Sequence, residues 1–300
     1  MKNNITTTLY IIGNGFDLAH GIPSSYSHFR DYCQKHNQEL YNLIERFYPN
    51  PEEFWAAFET NLKNIDADMI IDWCQLGNGE WNTNYKDFYR FTDEVKNTVD
   101  NIKTSIVAGF HEWIHSLYVD CQKAAGLYSQ DALFLNFNYT KTLEKSYGIS
   151  EDRILHIHGI SDTEIQSLVF GHNASFEELI YKTEGDNEFE TDSRREIANV
   201  LMKLVKPTEE IIAQNHVFFD ALKDVDLVIC LGVSYNSIDM PYFDKIRNSV
   251  KQDAHWICSV YSDDDKKNLQ SFSKHLQLTN LSSCQISNFS DPRIQLSFDI

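Results

Sequence analysis

The sequence predicts an α/β protein: a Rossmann-like parallel sheet interrupted by large helical insertions. Three observations lead there. Short apolar, β-branched runs recur along the chain, as strands buried on both faces require. Most of these runs stop at Gly, Asn or His, at the strand ends where open α/β sheets bind their ligands. The long stretches between them carry apolar residues at helical spacing.

The expected strands are Thr8–Ile12, Ala132–Phe137, Ile154–His158, Ser167–Gly171, Asp226–Gly232 and His255–Tyr261. Tyr26–Phe47 has helical periodicity. Pro51–Leu62 opens with proline and two acids, which suit a helix start, and aligns Phe54, Trp55, Phe58 and Leu62. Phe88–Tyr118 reads as a long helix broken near Gly109. Residues 31–130 therefore form a helical insertion, or lid, and residues 174–222 a second one, within a single domain spanning 1–300. The polar stretch Thr183–Arg195 reads as a mobile loop, and Glu59 as a residue on a solvated helix face or one that reaches the pocket from the lid.

The 300 residues are 42% hydrophobic and 13% aromatic, enough to bury a substantial core. Lys and Arg number 26 against 44 Asp and Glu, a formal charge of −18. That balance excludes broad binding to nucleic-acid backbones or anionic membranes, while leaving room for a local pocket for one small anion. The six cysteines include no CxxC pair, against a zinc ribbon or a thioredoxin-type site. Their scatter through apolar segments suits reduced, buried thiols and a cytoplasmic location. No signal peptide and no run of about 18 apolar residues is present.

The first candidate site is Gly13-Asn14-Gly15-Phe16-Asp17, followed by Gly21-Ile22-Pro23. Glycines there permit a tight turn and let phosphate oxygens approach main-chain N–H groups at a helix start. The dehydrogenase fingerprint would need glycine where Leu18 stands, and no GK[ST] follows, so neither a hydride-transfer site nor a Walker loop is indicated. A plain strand-to-helix turn fits the same residues. Asp17 could cap the helix or face a ribose, and His20 and Tyr26 are further pocket candidates.

Asn136-Phe137-Asn138-Tyr139-Thr140 closes the second strand. Its asparagines could hold a sugar hydroxyl or a water, or simply cap the helix at Lys141–Tyr147, with Thr140 as the alternative cap. Next comes His156-Ile157-His158-Gly159. Strand alternation puts both histidines on one face, as general bases or as core histidines bonded to backbone. A metal site lacks a third ligand at suitable spacing. Phe170-Gly171-His172-Asn173 and Gly232-Val233-Ser234-Tyr235, the latter followed by Asp239, are further strand-end turns. The Gly-x-Ser turn offers N–H groups and a hydroxyl to a ribose or phosphate, but with Asn236 in fifth place it is not a nucleophile elbow.

Together these motifs resemble the sirtuin order. Gly13 to Asp17 with Gly21-Ile22-Pro23 resembles GAGxS…GIP, Asn138-Tyr139-Thr140 the QNxD element, and His158-Gly159 the His-Gly pair. Val169-Phe170-Gly171 and Gly232-Val233-Ser234 resemble the FGE and GTS turns. More closely, LYIIGNGFDLAHGIPSSYSHF, FWAAFETNL, NFNYT, HIHG and LGVSYNSID resemble the AbiH family of bacterial phage-defence (abortive infection) proteins, counted among sirtuin-like proteins. The resemblance implies a sirtuin-like core that binds NAD and, as some relatives in the wider group do, cleaves its nicotinamide–ribose bond. It assigns catalysis to Asn138 and His158. Nucleotide contacts would fall to Gly13, Asn14, Gly15, Phe16, Asp17, Gly21, Ile22, Pro23, Thr140, Gly171, Gly232 and Ser234.

Two features depart from sirtuins. The four-cysteine zinc module is missing, which removes the basis for peptide deacetylation, and no metal is implied. Asp17 stands in place of serine, and Thr140 in place of aspartate. A non-catalytic sensor of NAD or ADP-ribose, or a subunit of a defence complex, is the alternative. Other defence proteins, a phage-derived trigger and a homo-oligomer are the partners such a role would involve.

Overall fold

A computed structural model describes residues 7–77, 85–128, 132–161, 168–180 and 188–291. Its centre is a six-stranded parallel sheet: β1 (Thr8–Ile12), β2 (Ala132–Asn136), β3 (Ile154–His156), β4 (Leu227–Leu231), β5 (His255–Ser259) and β6 (Leu281–Cys284). Their order is β3-β2-β1-β4-β5-β6 and every pairing is parallel. The chain first moves outward from β1 through β2 to β3, then returns to the other side of β1 for β4 onward. The direction of winding thus reverses between β1 and β4, the topological switch point at which doubly wound sheets place their ligands.

β1 is buried along its whole length because it lies between two neighbours and both its faces are covered. Leu9, Ile11, Leu135, Val228, Cys230 and Trp256 pack on one face, with Phe219, Phe243 and Phe272. Tyr10, Ile12, Phe134, Ile229, Leu231 and Ile257 fill the other, where Tyr10 stacks on Phe134 with ring centroids 4.8 Å apart. The sequence does not predict β6 because LSSC lacks the apolar run of a central strand; it is the edge, and its serines are exposed.

The predicted strand at Ser167–Gly171 does not form. Ser167 lies outside the described residues, and Leu168–Gly171 is irregular. Val169 N–H donates to His158 O, and pairing then resumes as a single bridge between His172 and Val205. Gly171 adopts φ +153°, and a Cβ there would lie 2.0 Å from Leu204 O, so glycine is required for close backbone packing.

The chain divides into two compact units, one comprising Met1–Ser25, Ile114–Val169 and Pro207–Ile300, the other Tyr26–Trp113 and Phe170–Lys206. The first contains the sheet. The second is helical and built on aromatic rings: Phe58 stacks on Phe110, Phe29 on Trp113, and Phe170 sits 4.4 Å from Phe110. Its helices differ from expectation in four places. Pro51–Leu62 is split at Ala57 into Pro51–Ala56 and Phe58–Asn61. Tyr26–Phe47 is broken at Asn37, whose side chain caps the second half by accepting from Leu40 N–H. The long helix Tyr85–Ser116 runs unbroken through Gly109, where the Leu40 side chain occupies the space a Cβ would need. Of the expected loop Thr183–Arg195, the described part belongs to the helix Glu188–Leu201, which buries Ser193, Arg194, Ile197 and Leu201. Glu59 is also not solvated; it is buried and paired with Lys206 Nζ at 2.8 Å.

Candidate functional site

Every strand-end motif of the sheet-bearing unit lies at a C-terminal strand end, as the parallel order requires. The β1 and β4 turns interlock through main chain. Gly13 N–H donates to Leu231 O and Gly15 N–H to Gly232 O, both at 2.9 Å. Gly232 has φ +71°, and a Cβ on it would lie 2.0 Å from Phe16 N. A Cβ on Gly13 would lie 2.5 Å from Gly232 O. The glycines of the first motif therefore serve a backbone-to-backbone contact, and their N–H groups already have acceptors. Gly232 N–H in turn donates to Ser259 Oγ at 2.7 Å.

Around this contact the remaining positions separate by exposure. Asn14, Gly21, Pro23 and Ser234 face solvent, whereas Phe16, Asp17 and Ile22 are buried. Ser24 Oγ donates to Asn14 Oδ1 at 2.5 Å, and Asn236 Nδ2 to Ser234 Oγ at 3.2 Å. Phe16 packs against His20, whose Nδ1 donates to Phe16 O and whose Nε2 meets Tyr147 Oη at 2.8 Å. His20 is thus fixed internally. Gly171 belongs to the helical unit.

Neither Asp17 nor Thr140 caps a helix. Asp17 lies inside the helix Asn14–Ala19, and its carboxylate accepts from Thr140 Oγ1 at 2.6 Å and Thr142 Oγ1 at 2.8 Å. Burial pushes its carboxyl above the ordinary range, while the two hydroxyls, His20 and the Asn138 amide draw it back. Asn138 Nδ2 donates to Gly13 O at 3.0 Å, which ties the β2 end to the glycine turn. Its own N–H is held by Asn136 Oδ1.

The two histidines do not share a face. β3 ends at His156, and the chain turns there, so strand alternation stops before His158. His156 Nε2 meets Glu144 Oε1 at 2.7 Å, and its Nδ1 lies 3.4 Å from Asn136 Nδ2. His158 is buried among Phe137, Tyr139 and Tyr242. Its Nδ1 donates to Phe137 O at 3.3 Å, and its Nε2 lies 3.5 Å from Asp239 Oδ1.

The chemical content is two imidazole–carboxylate pairs, His156–Glu144 and His158–Asp239, the buried amides of Asn136 and Asn138, and the exposed Ser234 hydroxyl beside the switch point of an open parallel sheet. Among the described residues no group of three or more His, Cys, Asp or Glu side chains is placed to hold a metal ion, and no helix is long and apolar enough to cross a membrane. All six cysteines are free; burial pushes the Cys33 thiol up to about 12 and Cys284 up to about 11, away from nucleophile chemistry.

Sequence reasoning missed three partners: Thr142 on Asp17, Glu144 on His156 and Asp239 on His158. Asp239 had a signal. It directly precedes Met240-Pro241 at a helix start, a position where aspartate ordinarily caps, but capping would have been the natural reading.

The family model described as bacteriophage abortive infection AbiH matches residues 9–260. The chain belongs to this family. The match runs from β1 to just past β5 and includes all the strand-end turns above. A role in abortive infection of bacteriophage follows from membership in the AbiH family. No curated protein matches the chain significantly.

Proposed function

We propose that this AbiH protein binds NAD at the switch point of its sheet and hydrolyses the nicotinamide–ribose bond. The observation that carries the reading is the strand order β3-β2-β1-β4-β5-β6, which gathers the turns after β1, β2, β3 and β4 at one end of the sheet. In this reading the exposed edge of the turn, Asn14 and Ser234, meets the pyrophosphate and adenosine side, and Asn138 orients the ribose. The leaving nicotinamide is already cationic in the substrate, so departure needs little acid assistance. The demand falls on stabilising an oxocarbenium-like sugar and delivering water, as in glycoside hydrolysis.

The two positions that depart from the sirtuin pattern meet each other, and their exchange favours a non-catalytic nucleotide sensor over turnover. Asp17 and Thr140, which exchange a hydroxyl and a carboxylate relative to the sirtuin pattern, are hydrogen-bonded to each other.

The test is incubation of the purified chain with NAD, alone and with lysate of phage-infected cells, followed by chromatography. Nicotinamide and ADP-ribose in equal amounts are expected; NAD that stays intact in both arms contradicts the enzymatic reading. A nucleotide sensor is the second reading, favoured by the engagement of the Gly13 and Gly15 N–H groups and the Asn138 amide within the protein. It requires tight calorimetric binding of intact NAD or ADP-ribose without product.

A further inference from the structure

The geometry points to Asp239, rather than His158, as the group that faces the ribose and takes the proton from the attacking water; this rests on the NAD-cleavage reading above. Three observations lead to it. A carbonyl can only accept, so the bond to Phe137 O places a proton on His158 Nδ1, and Nε2 is turned toward Asp239 Oδ1. Both imidazole nitrogens thus already have partners. Second, the histidine side chain is 4% exposed and the aspartate 16%, so the carboxylate is the outward end of the pair. Third, Asp239 occupies the cap position of the helix Met240–Ser249 yet makes no side-chain cap hydrogen bond. Aspartate is among the best capping residues, and here its carboxylate is directed to His158 instead.

The carboxylate is held by the turn that carries it. Asn236 Oδ1 accepts from the N–H groups of Ile238 and Asp239, and Asp239 O accepts from Tyr242 N–H. His158 is then a positioning residue: boxed by aromatic rings, it holds the carboxylate from behind and supplies positive charge when Nε2 is protonated.

In the step, the C1′–N bond breaks and its electron pair leaves with nicotinamide as a neutral base. The water oxygen forms the new bond to C1′. One water proton passes to the Asp239 carboxylate and then to solvent. NAD and water give ADP-ribose, nicotinamide and one proton, so no further reactant is needed.

The test uses the full chain, with wild type, Asp239→Asn, Asp239→Ala and His158→Gln compared for nicotinamide release across pH and for ADP-ribose binding. Asp239→Asn should lose at least about a hundredfold in kcat while ADP-ribose affinity changes less than about threefold. Formate added to Asp239→Ala should restore part of the rate, which a purely structural role would not allow. His158→Gln should keep measurable activity with a displaced pH profile. If wild type and Asp239→Asn cleave NAD at similar rates while His158→Gln is dead, the assignment is overturned and the NAD reading stands. If wild type itself leaves NAD intact, the NAD reading fails and this assignment falls with it.

Discussion

Thr140 Oγ1 donates to Asp17 Oδ2 at 2.6 Å, joining the turn after β2 to the first helix through two buried side chains. Thr142 adds a second donor to the same carboxylate. A buried carboxylate is tolerable only when its oxygens are satisfied, so this pair fixes the local fold beside the glycine turn.

Thr140→Val should therefore cost about 1.5–3 kcal/mol, the range for a hydrogen bond to a charged group. Urea denaturation measures it. In a double-mutant cycle with Asp17→Asn the two losses should be clearly less than additive, because each removes the same interaction.

The same carboxylate makes a pH prediction. Burial raises its pKa in the folded protein, so the native state binds that proton more tightly than the unfolded chain. The associated stabilisation is complete below the ordinary carboxylate range and is lost as pH rises through the raised value. Relative to Asp17→Asn, wild type should be most stable in acid and lose ground toward neutrality. Urea midpoints of both proteins across that range check the sign.

Two glycines with similar φ should respond differently to alanine. Gly21 has φ +75° with open space where the alanine methyl would point, so Gly21→Ala carries only the left-handed strain of about 1–2 kcal/mol. Gly232, at φ +71°, would drive its Cβ to within 2.0 Å of Phe16 N, and Gly232→Ala should cost more than about 3 kcal/mol or prevent folding. Comparable melting temperatures for the two variants would contradict the interlocked-turn geometry.

In the helical unit, Lys206→Met removes the ammonium 2.8 Å from the buried Glu59 carboxylate. The expected loss is about 3–5 kcal/mol. Adding Glu59→Gln should recover part of it, since the uncompensated charge is then gone. Thermal unfolding of the single and double variants measures both effects.

The sheet was legible in the sequence because five of its strands are apolar runs punctuated by polar strand-end residues. β6 was not, because an edge strand needs no second buried face and LSSC carries no such signal. The turn motifs were legible as positions but less so as chemistry. Gly13 and Gly15 look the same in sequence whether their N–H groups await a phosphate or bind Leu231 and Gly232 carbonyls. His156 and His158 appear paired only as long as the strand continues, and it ends at the first of them. Asp239 could not be joined to His158 from sequence, since their contact depends on β3 and β4 ending at the same side of the sheet. The helical insertions betrayed their periodicity, but a stretch as polar as that around Arg194 reads as loop until its buried side is seen.

The most direct test of the nucleotide pocket at the switch point is calorimetric titration of ADP-ribose into the purified chain and into Ser234→Glu. Ser234 is exposed, so the variant should fold normally while placing a negative charge beside the proposed pyrophosphate position. A pocket at this place predicts one-to-one binding by wild type and at least about tenfold weaker binding by the variant. Absence of heat from wild type at millimolar ligand, or equal affinity in the two proteins, would contradict it.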